Sequence, residues 1–190
     1  YIENYIFMHG EASYSSSESN LRTDRAARFE AGDASFLSRW KLRTLGSDTF
    51  YNSITTGRFN EGGLTTAEVY LIKAECLARK DDLNGAMGVL NTLRAKRILP
   101  QQYQPLSASI QKQAINFIRR TRGNEMIFTI VAFADTRRFN QDPQYAQTLT
   151  KVENGKTLSL APGSYMWTMP FPQGAFKNPG NGTIHQNVNK

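Results

Sequence analysis

The sequence predicts a mainly α-helical protein with an antiparallel helix pair, further helices, long irregular loops and a few short strands. Two observations support this prediction. Residues 64–139 carry apolar side chains at the three- and four-residue spacing of amphipathic helices, in runs separated by short polar breaks. Residues 1–63 and 140–190 lack that spacing. The first of these segments is loop-rich, and the second contains most of the prolines, which predicts an extended tail.

Length and composition favour one globular domain over residues 1–190. A chain of 190 residues with 39% hydrophobic content can bury a core without disulfide or metal support. The net charge of +7 raises the possibility of a polyanionic partner. However, the basic residues are scattered, and their densest groups fall at predicted helix ends, where cations are favoured for structural reasons. We therefore expect no nucleic-acid partner.

The first segment, residues 1–63, is predicted to be mostly loop. It contains a serine-rich stretch over residues 13–19 and several short runs with aromatic side chains. Within it we expect one short helix over residues 20–31. One or two short strands are expected around Trp40 and Tyr51.

The strongest helical pattern begins at Thr65, whose hydroxyl is suited to cap the helix, with Glu68 in the first turn. Glu75 and Arg79 form an i,i+4 pair. The apolar positions are dense enough to predict packing on more than one side. They are Ala67, Tyr70, Leu71, Ala74, Leu77 and Ala78, widened by Val69, Ile72 and Cys76.

Residues 80–82 break this pattern, and Asp82 is suited to cap a second helix. A connection this short predicts that the two helices are antiparallel neighbours. Gly85 and Gly88 should each cost a helix up to ~1 kcal/mol relative to alanine, so we expect another backbone to approach closely there. The apolar stripe of the second helix is Leu83, Ala86, Met87, Leu90 and Leu93.

Two more helices are expected over residues 109–122 and 125–138, separated by Gly123 and Asn124. The i,i+3 spacing predicts ion pairs between Arg122 and Glu125 and between Asp135 and Arg138. Residues 152–160 are compatible with a strand or hairpin, after which prolines and glycines enforce the extended tail.

The sequence contains no arrangement that indicates catalysis. The two histidines, His9 and His185, lie near opposite ends of the chain, so neither a metal site nor a histidine-based triad is indicated. The glycines at Gly57, Gly62 and Gly63 lack the lysine and hydroxyl residue that a phosphate-binding loop requires. No spacing selects any pair of carboxylates for glycoside hydrolysis. We expect a protein that is not an enzyme and that uses no cofactor and no metal.

Aromatic side chains outside the helices carry the remaining functional signal. Aromatic faces bind the C–H surfaces of sugars and exclude water. Tyr14 in the serine-rich loop, Trp40 and the adjacent pair Tyr51 and Asn52 are the candidate ligand-binding residues. For Trp40, packing in the core is the favoured interpretation. Trp167 is expected to pack within the tail.

The helix pair fits one tetratricopeptide-like unit, with Tyr70, Ala74 and Leu77 on its first helix and Ala86 and Leu90 at small-to-large spacing on its second. The amino-acid sequence of residues 67–79 and 90–97 is more specific, and it closely resembles the SusD/RagB family of nutrient-binding outer-membrane lipoproteins. Two further stretches agree with that family in order and spacing. They are Arg122-Gly123-Asn124-Glu125-Met126 with Asp135-Thr136-Arg137-Arg138, and Pro170-Phe171-Pro172 with Asn178-Pro179 and Gln186-Asn187.

Three positions depart from the family pattern: Ile130, Ala132 and Ala175 stand where the family usually has glycine, arginine and glutamate. The resemblance runs from about residue 64 to the end of the chain. Members of the family are usually longer, so the chain is expected to correspond to the C-terminal part of one.

The resemblance implies a cell-surface protein of the outer membrane, held by a lipid anchor that is not part of this chain. It implies capture of an oligosaccharide or other nutrient and its delivery to a SusC-like TonB-dependent transporter, without catalysis. No site motif of the family transfers to these residues. An alternative interpretation is a tetratricopeptide-type scaffold that binds another protein, and a third is a hydrolase.

Overall fold

The computed structural model describes residues 20–53, 64–127, 129, 131–153, 155–168, 177 and 185. The chain forms two compact units, Tyr1–Thr129 and Ile130–Lys190. Among the described residues there are six α-helices, five short strands and one 3₁₀ helix. A mainly helical fold with small antiparallel sheets is therefore confirmed, whereas the single domain over residues 1–190 stays a prediction.

The described part of the first unit contains, from residue 20 onward, a three-stranded antiparallel sheet and two short helices. The sheet order is β1-β3-β2, so β3 is the central strand. The short helix expected over residues 20–31 is confined to α1, and the strands expected around Trp40 and Tyr51 are confirmed. The elements are β1 (Asn20–Arg22), α1 (Thr23–Ala26), α2 (Ala34–Arg39), β2 (Trp40–Leu45) and β3 (Asp48–Ser53).

The inner face of this sheet packs on a small apolar cluster. Leu21, Ala26, Trp40 and Ile127 are its buried members. Since Ile127 follows the last helix of this unit, the cluster joins the sheet to the helical part. The expected core position of Trp40 is confirmed, because its exposed fraction is only 5%.

Three longer helices form the rest of the first unit: α3 (Thr66–Arg79), α4 (Leu83–Arg94) and α5 (Gln111–Glu125). Both predicted caps are present. Thr65 Oγ1 accepts a hydrogen bond from the Glu68 amide at 3.1 Å, and Asp82 Oδ1 accepts one from the Gly85 amide at 2.8 Å. Asp81 adopts a φ of 65°, which closes the short turn between α3 and α4.

The three helices share one core. Its most buried members are Leu71, Ala74 and Ala78 of α3, Ala86 and Leu90 of α4, and Ala114, Ile115 and Ile118 of α5. Helix α3 contacts both α4 and α5, which confirms the expected packing on more than one side. The prediction was wrong for Tyr70 of the stripe, which is exposed. It was also wrong for Val69, Ile72 and Cys76, which were expected to widen the stripe and are exposed too.

Some ion pairs of the helices join residues that are much farther apart in the sequence than we predicted. The i,i+4 pair of Glu75 and Arg79 is present, with 2.7 Å between Oε1 and Nε. Arg122 and Glu125 were expected to pair with each other. Instead, Arg122 contacts Glu68 at 2.7 Å, and Glu125 contacts Arg97 at 2.7 Å. These contacts join α5 to α3 and to the end of α4.

The second unit contains α6 (Val131–Phe139), a hairpin of β4 (Leu149–Glu153) and β5 (Lys156–Leu160), and a 3₁₀ helix (Tyr165–Trp167). The predicted hairpin and the Asp135–Arg138 pair, at 3.2 Å, are confirmed. Trp167 is buried, packs on Phe133 and donates its indole N–H to the Ala161 carbonyl at 2.7 Å. The expected packing role of Trp167 is therefore confirmed.

The close backbone approach expected at the two glycines of α4 is not observed. Apart from its chain neighbours and the backbone of its own helix, no described atom lies within 4 Å of a Cβ placed on Gly88. A Cβ on Gly85 would overlap the capping carboxylate of Asp82. Gly85 therefore leaves room for the cap of its own helix. In the described part of the protein, no other backbone segment approaches either glycine closely enough to require it.

Substituting these glycines should separate the two situations. Gly88→Ala should raise the free energy of unfolding by up to ~1 kcal/mol, because alanine favours the helix and the site is open. Gly85→Ala should gain about 1 kcal/mol less, because the new methyl group displaces the Asp82 cap. Equilibrium unfolding in urea measures both, and equal effects would contradict this account of Gly85.

Candidate functional site

A cleft of about 590 Å³ opens on the inner face of the three-stranded sheet. Its walls are α1, α2, the segment between these helices and the strands β2 and β3. The lining includes three aromatic rings, several small side chains and two carboxylates. The residues are Thr23, Ala26, Ala27, Phe29, Glu30, Ala31, Gly32, Asp33, Phe36, Leu37, Leu42, Thr49 and Tyr51.

The strand register explains which side chains reach the cleft. Leu42 and Tyr51 are cross-strand partners and therefore share one face of the sheet. Because alternate residues of a strand point to the same side, Thr49 lies on that face too.

Three half-buried rings form a continuous aromatic surface in the cleft. The ring centroids of Phe29 and Phe36 are 4.9 Å apart, and those of Phe36 and Tyr51 are 5.0 Å apart in an edge-on arrangement. Rings at these distances pack favourably and hold one another in place. The cleft thus offers a pre-formed apolar surface, and its phenolic Tyr51 adds a hydrogen-bonding group.

The α1 end of the cleft is fixed to the helical core by Arg25. Its guanidinium donates to the Gly123 carbonyl at 2.7 Å and to Asn124 Oδ1 at 2.8 Å, both near the end of α5. Its planar group also lies over the Phe29 ring, 5.4 Å from the centroid. Burial, together with the nearby charge of Arg28, lowers the pKa of Arg25 to about 10, still well above neutral pH.

The α2 end of the cleft is fixed by backbone contacts. The Ala34 amide donates to the Arg97 carbonyl at 2.8 Å, and the Leu99 amide donates to the Gly32 carbonyl at 2.9 Å. Gly32 has a φ of 76°, and a Cβ there would overlap the Gln102 side chain, so the close approach of these two segments requires glycine.

The two carboxylates of the cleft lie in different electrostatic environments. Burial raises the pKa of Glu30, but hydrogen bonds and charges from Arg94 and Arg120 outweigh it, so the pKa lies below its ordinary value. Burial also raises the pKa of Asp33, and here the bond from the Phe36 amide does not compensate. Asp33 caps α2 through that bond, at 3.0 Å.

The sequence-predicted ligand residues do not form one site. Tyr51 lines the cleft, whereas Trp40 on the same face is buried in the apolar cluster. Asn52 is directed to the opposite face of the sheet, where its amide donates to Asn20 Oδ1 at 2.9 Å. Tyr14 lies outside the described residues.

Sequence reasoning missed Phe29 and Phe36, the other two rings of the cleft. Both fall in a segment without helical periodicity, and their meeting depends on the turn between α1 and α2. The available signal was Asp33 three residues before Phe36, which is the spacing of a helix cap. It would have placed Phe36 in the first turn of a helix.

A second, more polar pocket of about 420 Å³ lies where the start of α3, the end of α5 and Arg97 meet. Its charged residues are Arg39 and the pair of Arg97 and Glu125, whose charges neutralise each other. Throughout the described ranges, no group of three or more histidine, cysteine, aspartate or glutamate residues is arranged to hold a metal ion.

The helical framework carries an open aromatic cleft, an arrangement suited to ligand binding. Residues 50–188 match the family model described as the SusD family, so the chain belongs to the SusD family. The match begins at residue 50, inside β3, and thus extends further than the resemblance seen from residue 64 onward. No curated protein matches the chain.

Membership of the SusD family implies a nutrient- or glycan-binding role in a Sus-like uptake system. Proteins of this family bind their ligands and are not enzymes. The family also implies a lipoprotein on the surface of the outer membrane. None of the helices seen in the described ranges is long and apolar enough to cross a membrane.

The raised pKa of Asp33 has a testable consequence for stability. A carboxyl group with a raised folded pKa binds its proton more tightly in the folded state, so stability falls as pH rises from the ordinary value of 3.8 through the folded value. Asp33→Asn keeps a capping oxygen and removes this titration. The variant should therefore gain stability relative to the wild type between about pH 3.5 and pH 7.

Urea unfolding of both proteins at the two pH values measures this difference. Asp48→Asn, at an exposed position of the β2–β3 hairpin, is the control for loss of one carboxylate. An Asp33→Asn effect that is the same at both pH values would show that burial of the Asp33 charge carries no cost.

Proposed function

We propose that this protein captures a glycan or a similar nutrient in the aromatic cleft and passes it to a SusC-like TonB-dependent transporter at the outer-membrane surface. The observation that carries the proposal is the continuous surface of Phe29, Phe36 and Tyr51 in an open cleft. Aromatic surfaces of this kind accept the apolar faces of sugar rings, and neighbouring polar groups orient the hydroxyls.

Three features of the cleft support a carbohydrate ligand. The cleft is open at the surface, so it can hold one segment of a longer oligosaccharide while the rest remains in solvent. Its rings are fixed against one another and need little ordering when a ligand binds. Besides its two carboxylates, it offers the hydroxyls of Thr23, Thr49 and Tyr51, which are suited to hydrogen bonding with sugars. Tyr14 stays a proposed ligand contact on the basis of sequence alone.

The α3–α4 pair is proposed to be a tetratricopeptide-like unit, which supports a second function as a protein-binding scaffold. Val69 and Ile72 are 48% and 44% exposed, and Tyr70 beside them is 38% exposed. Apolar side chains on the outer side of such a pair suit contact with a further protein surface. This scaffold role is compatible with glycan capture, because the cleft and this side of α3 are made by different elements.

Alanine at Tyr51 tests the proposed cleft. Tyr51→Ala should weaken oligosaccharide binding about tenfold, because it removes one of the three contacting rings of the cleft. Tyr51→Phe should retain most of the affinity, since it keeps the ring and loses only the hydroxyl. A glycan array first identifies the oligosaccharide, and isothermal titration calorimetry then gives the dissociation constants.

The matched control is Tyr165→Ala, which removes a 40% exposed tyrosine of the 3₁₀ helix that is not part of the cleft lining. It should leave binding of a cleft ligand unchanged. The cleft is excluded as the site if Tyr51→Ala binds as tightly as the wild type. Glycan hydrolysis by the purified chain would exclude a purely binding role.

A further inference from the structure

The outer face of the three-stranded sheet, opposite the cleft, carries a set of side chains that the cleft does not use. Because β3 is the central strand, each of its residues has a neighbour on both sides. The register places Phe50 between Arg22 and Arg43. It also places Asn52 between Asn20 and Lys41. We define the outer face as these six residues.

The outer face is rich in accessible positive charge. Lys41 and Arg43 are exposed, and within residues 20–53 and the other described ranges no hydrogen bond or ion pair engages either side chain. The Arg22 side chain is 75% exposed and contacts Asp24 at 3.1 Å. By strand alternation one carboxylate, Asp48, also lies on this face, at the β2–β3 turn.

An aromatic ring lies at the centre of this charge. Phe50 is only partly buried, and in the described part of the chain no other ring packs on it. Cross-strand neighbours are about 5 Å apart, so the backbones of Arg22 and Arg43 are separated by roughly 10 Å with Phe50 midway. The Arg43 guanidinium is suited to bind a carboxylate or sulfate through two parallel hydrogen bonds, the arrangement that Arg22 already forms with Asp24 at 3.1 and 3.2 Å.

The amide pair of Asn20 and Asn52 adds neutral hydrogen-bonding capacity. Their side chains are joined at 2.9 Å, which orders both amides on the surface of the sheet. Asn20 accepts this bond through Oδ1, and within the described residues no hydrogen bond uses the two donor positions of its Nδ2. Ordered amides beside an aromatic ring suit the hydroxyls and the C–H face of a sugar.

We propose that the outer face is a second carbohydrate site, selective for anionic glycan segments that carry carboxylates or sulfates. Charge complementarity identifies the ligand as an anion, and Phe50 with the amide pair identifies it as a sugar. A nucleic-acid site would be expected to show several rings for stacking successive bases, and this face has one. The proposal rests on the proposed glycan-binding function and names an additional ligand class for it.

Binding of defined hexasaccharides to the 190-residue chain tests the proposal. The probes are a galacturonic acid hexamer, a chondroitin sulfate hexasaccharide and neutral maltohexaose, with a short DNA duplex as a polyanion of another kind. The variant is Lys41→Gln with Arg43→Gln. Its matched control is Lys151→Gln with Lys156→Gln, which removes two exposed charges from the β4–β5 hairpin.

The double variant on β2 should lose about fivefold to twentyfold in affinity for at least one anionic hexasaccharide, as expected for two exposed charge contacts. The control should bind like the wild type. Binding should weaken as sodium chloride is raised, because exposed charge pairs are screened. Preference for the uronate or for the sulfated probe would identify which anion the face accepts.

Substitution of Phe50 tests whether the outer face recognises a sugar or only attracts negative charge. Phe50→Leu keeps a large apolar side chain in the sheet and removes the ring. It should lower affinity for the anionic hexasaccharide at least threefold, with an unchanged unfolding midpoint in urea.

Three results would overturn the proposal. The first is that the double variant at Lys41 and Arg43 binds the anionic hexasaccharide as tightly as the control variant does. The second is DNA binding as tight as that of the hexasaccharide and equally sensitive to the substitutions at Lys41 and Arg43. The third is an anionic affinity that Phe50→Leu leaves unchanged. If a neutral glycan still binds and depends on Tyr51, the outer face alone has failed. If no glycan of either kind binds, the proposed function has failed with it.

Discussion

The guanidinium of Arg94 is the group on which the first unit most depends. Arg94 is 3% exposed. It donates to Glu30 at 2.9 Å, to Asn91 Oδ1 at 2.7 Å and to the Gln104 carbonyl at 3.0 Å, and it lies 5.5 Å from the Tyr103 ring centroid. A buried cation is tolerated only when such partners replace its water. The cleft segment, α4 and the loop after α4 are therefore joined at one point.

Removing Arg94 should be far more damaging than removing an exposed arginine. Arg94→Ala should lower the free energy of unfolding by about 3 kcal/mol, the lower end for a broken buried pair, because Arg120 still contacts Glu30 at 3.1 Å. Arg79→Ala breaks a pair whose arginine is 36% exposed and should cost less than about 1 kcal/mol. Urea unfolding compares the two, and equal losses would show that Arg94 is not central.

Sequence reasoning succeeded where a structure is determined by neighbouring residues. The caps at Thr65 and Asp82, the stripes of α3 and α4, the hairpin of the second unit and the packing of Trp167 follow from local spacing and side-chain chemistry. It failed where partners are far apart in the chain. Glu30 and Arg94 are separated by 64 residues. The same limitation hid the meeting of Phe29, Phe36 and Tyr51, since helical periodicity carries no information about which loop returns to which strand.

The residues that place the chain in the SusD family belong mainly to the framework. Arg94, Arg97, Arg122 and Glu125 all form contacts between elements, and Asn91 binds the backbone of Leu106 through both its amide atoms. The candidate ligand surfaces lie elsewhere, on a short sheet whose central strand is the first element within the family match. This separation explains why the family was recognisable from sequence while its ligand was not. Successive residues of β3 point to opposite faces, so Tyr51 and Asn52 belong to different surfaces although they are adjacent in sequence. One short strand thus contributes to both proposed sites, and none of the residues that define them belongs to α3, α4 or α5.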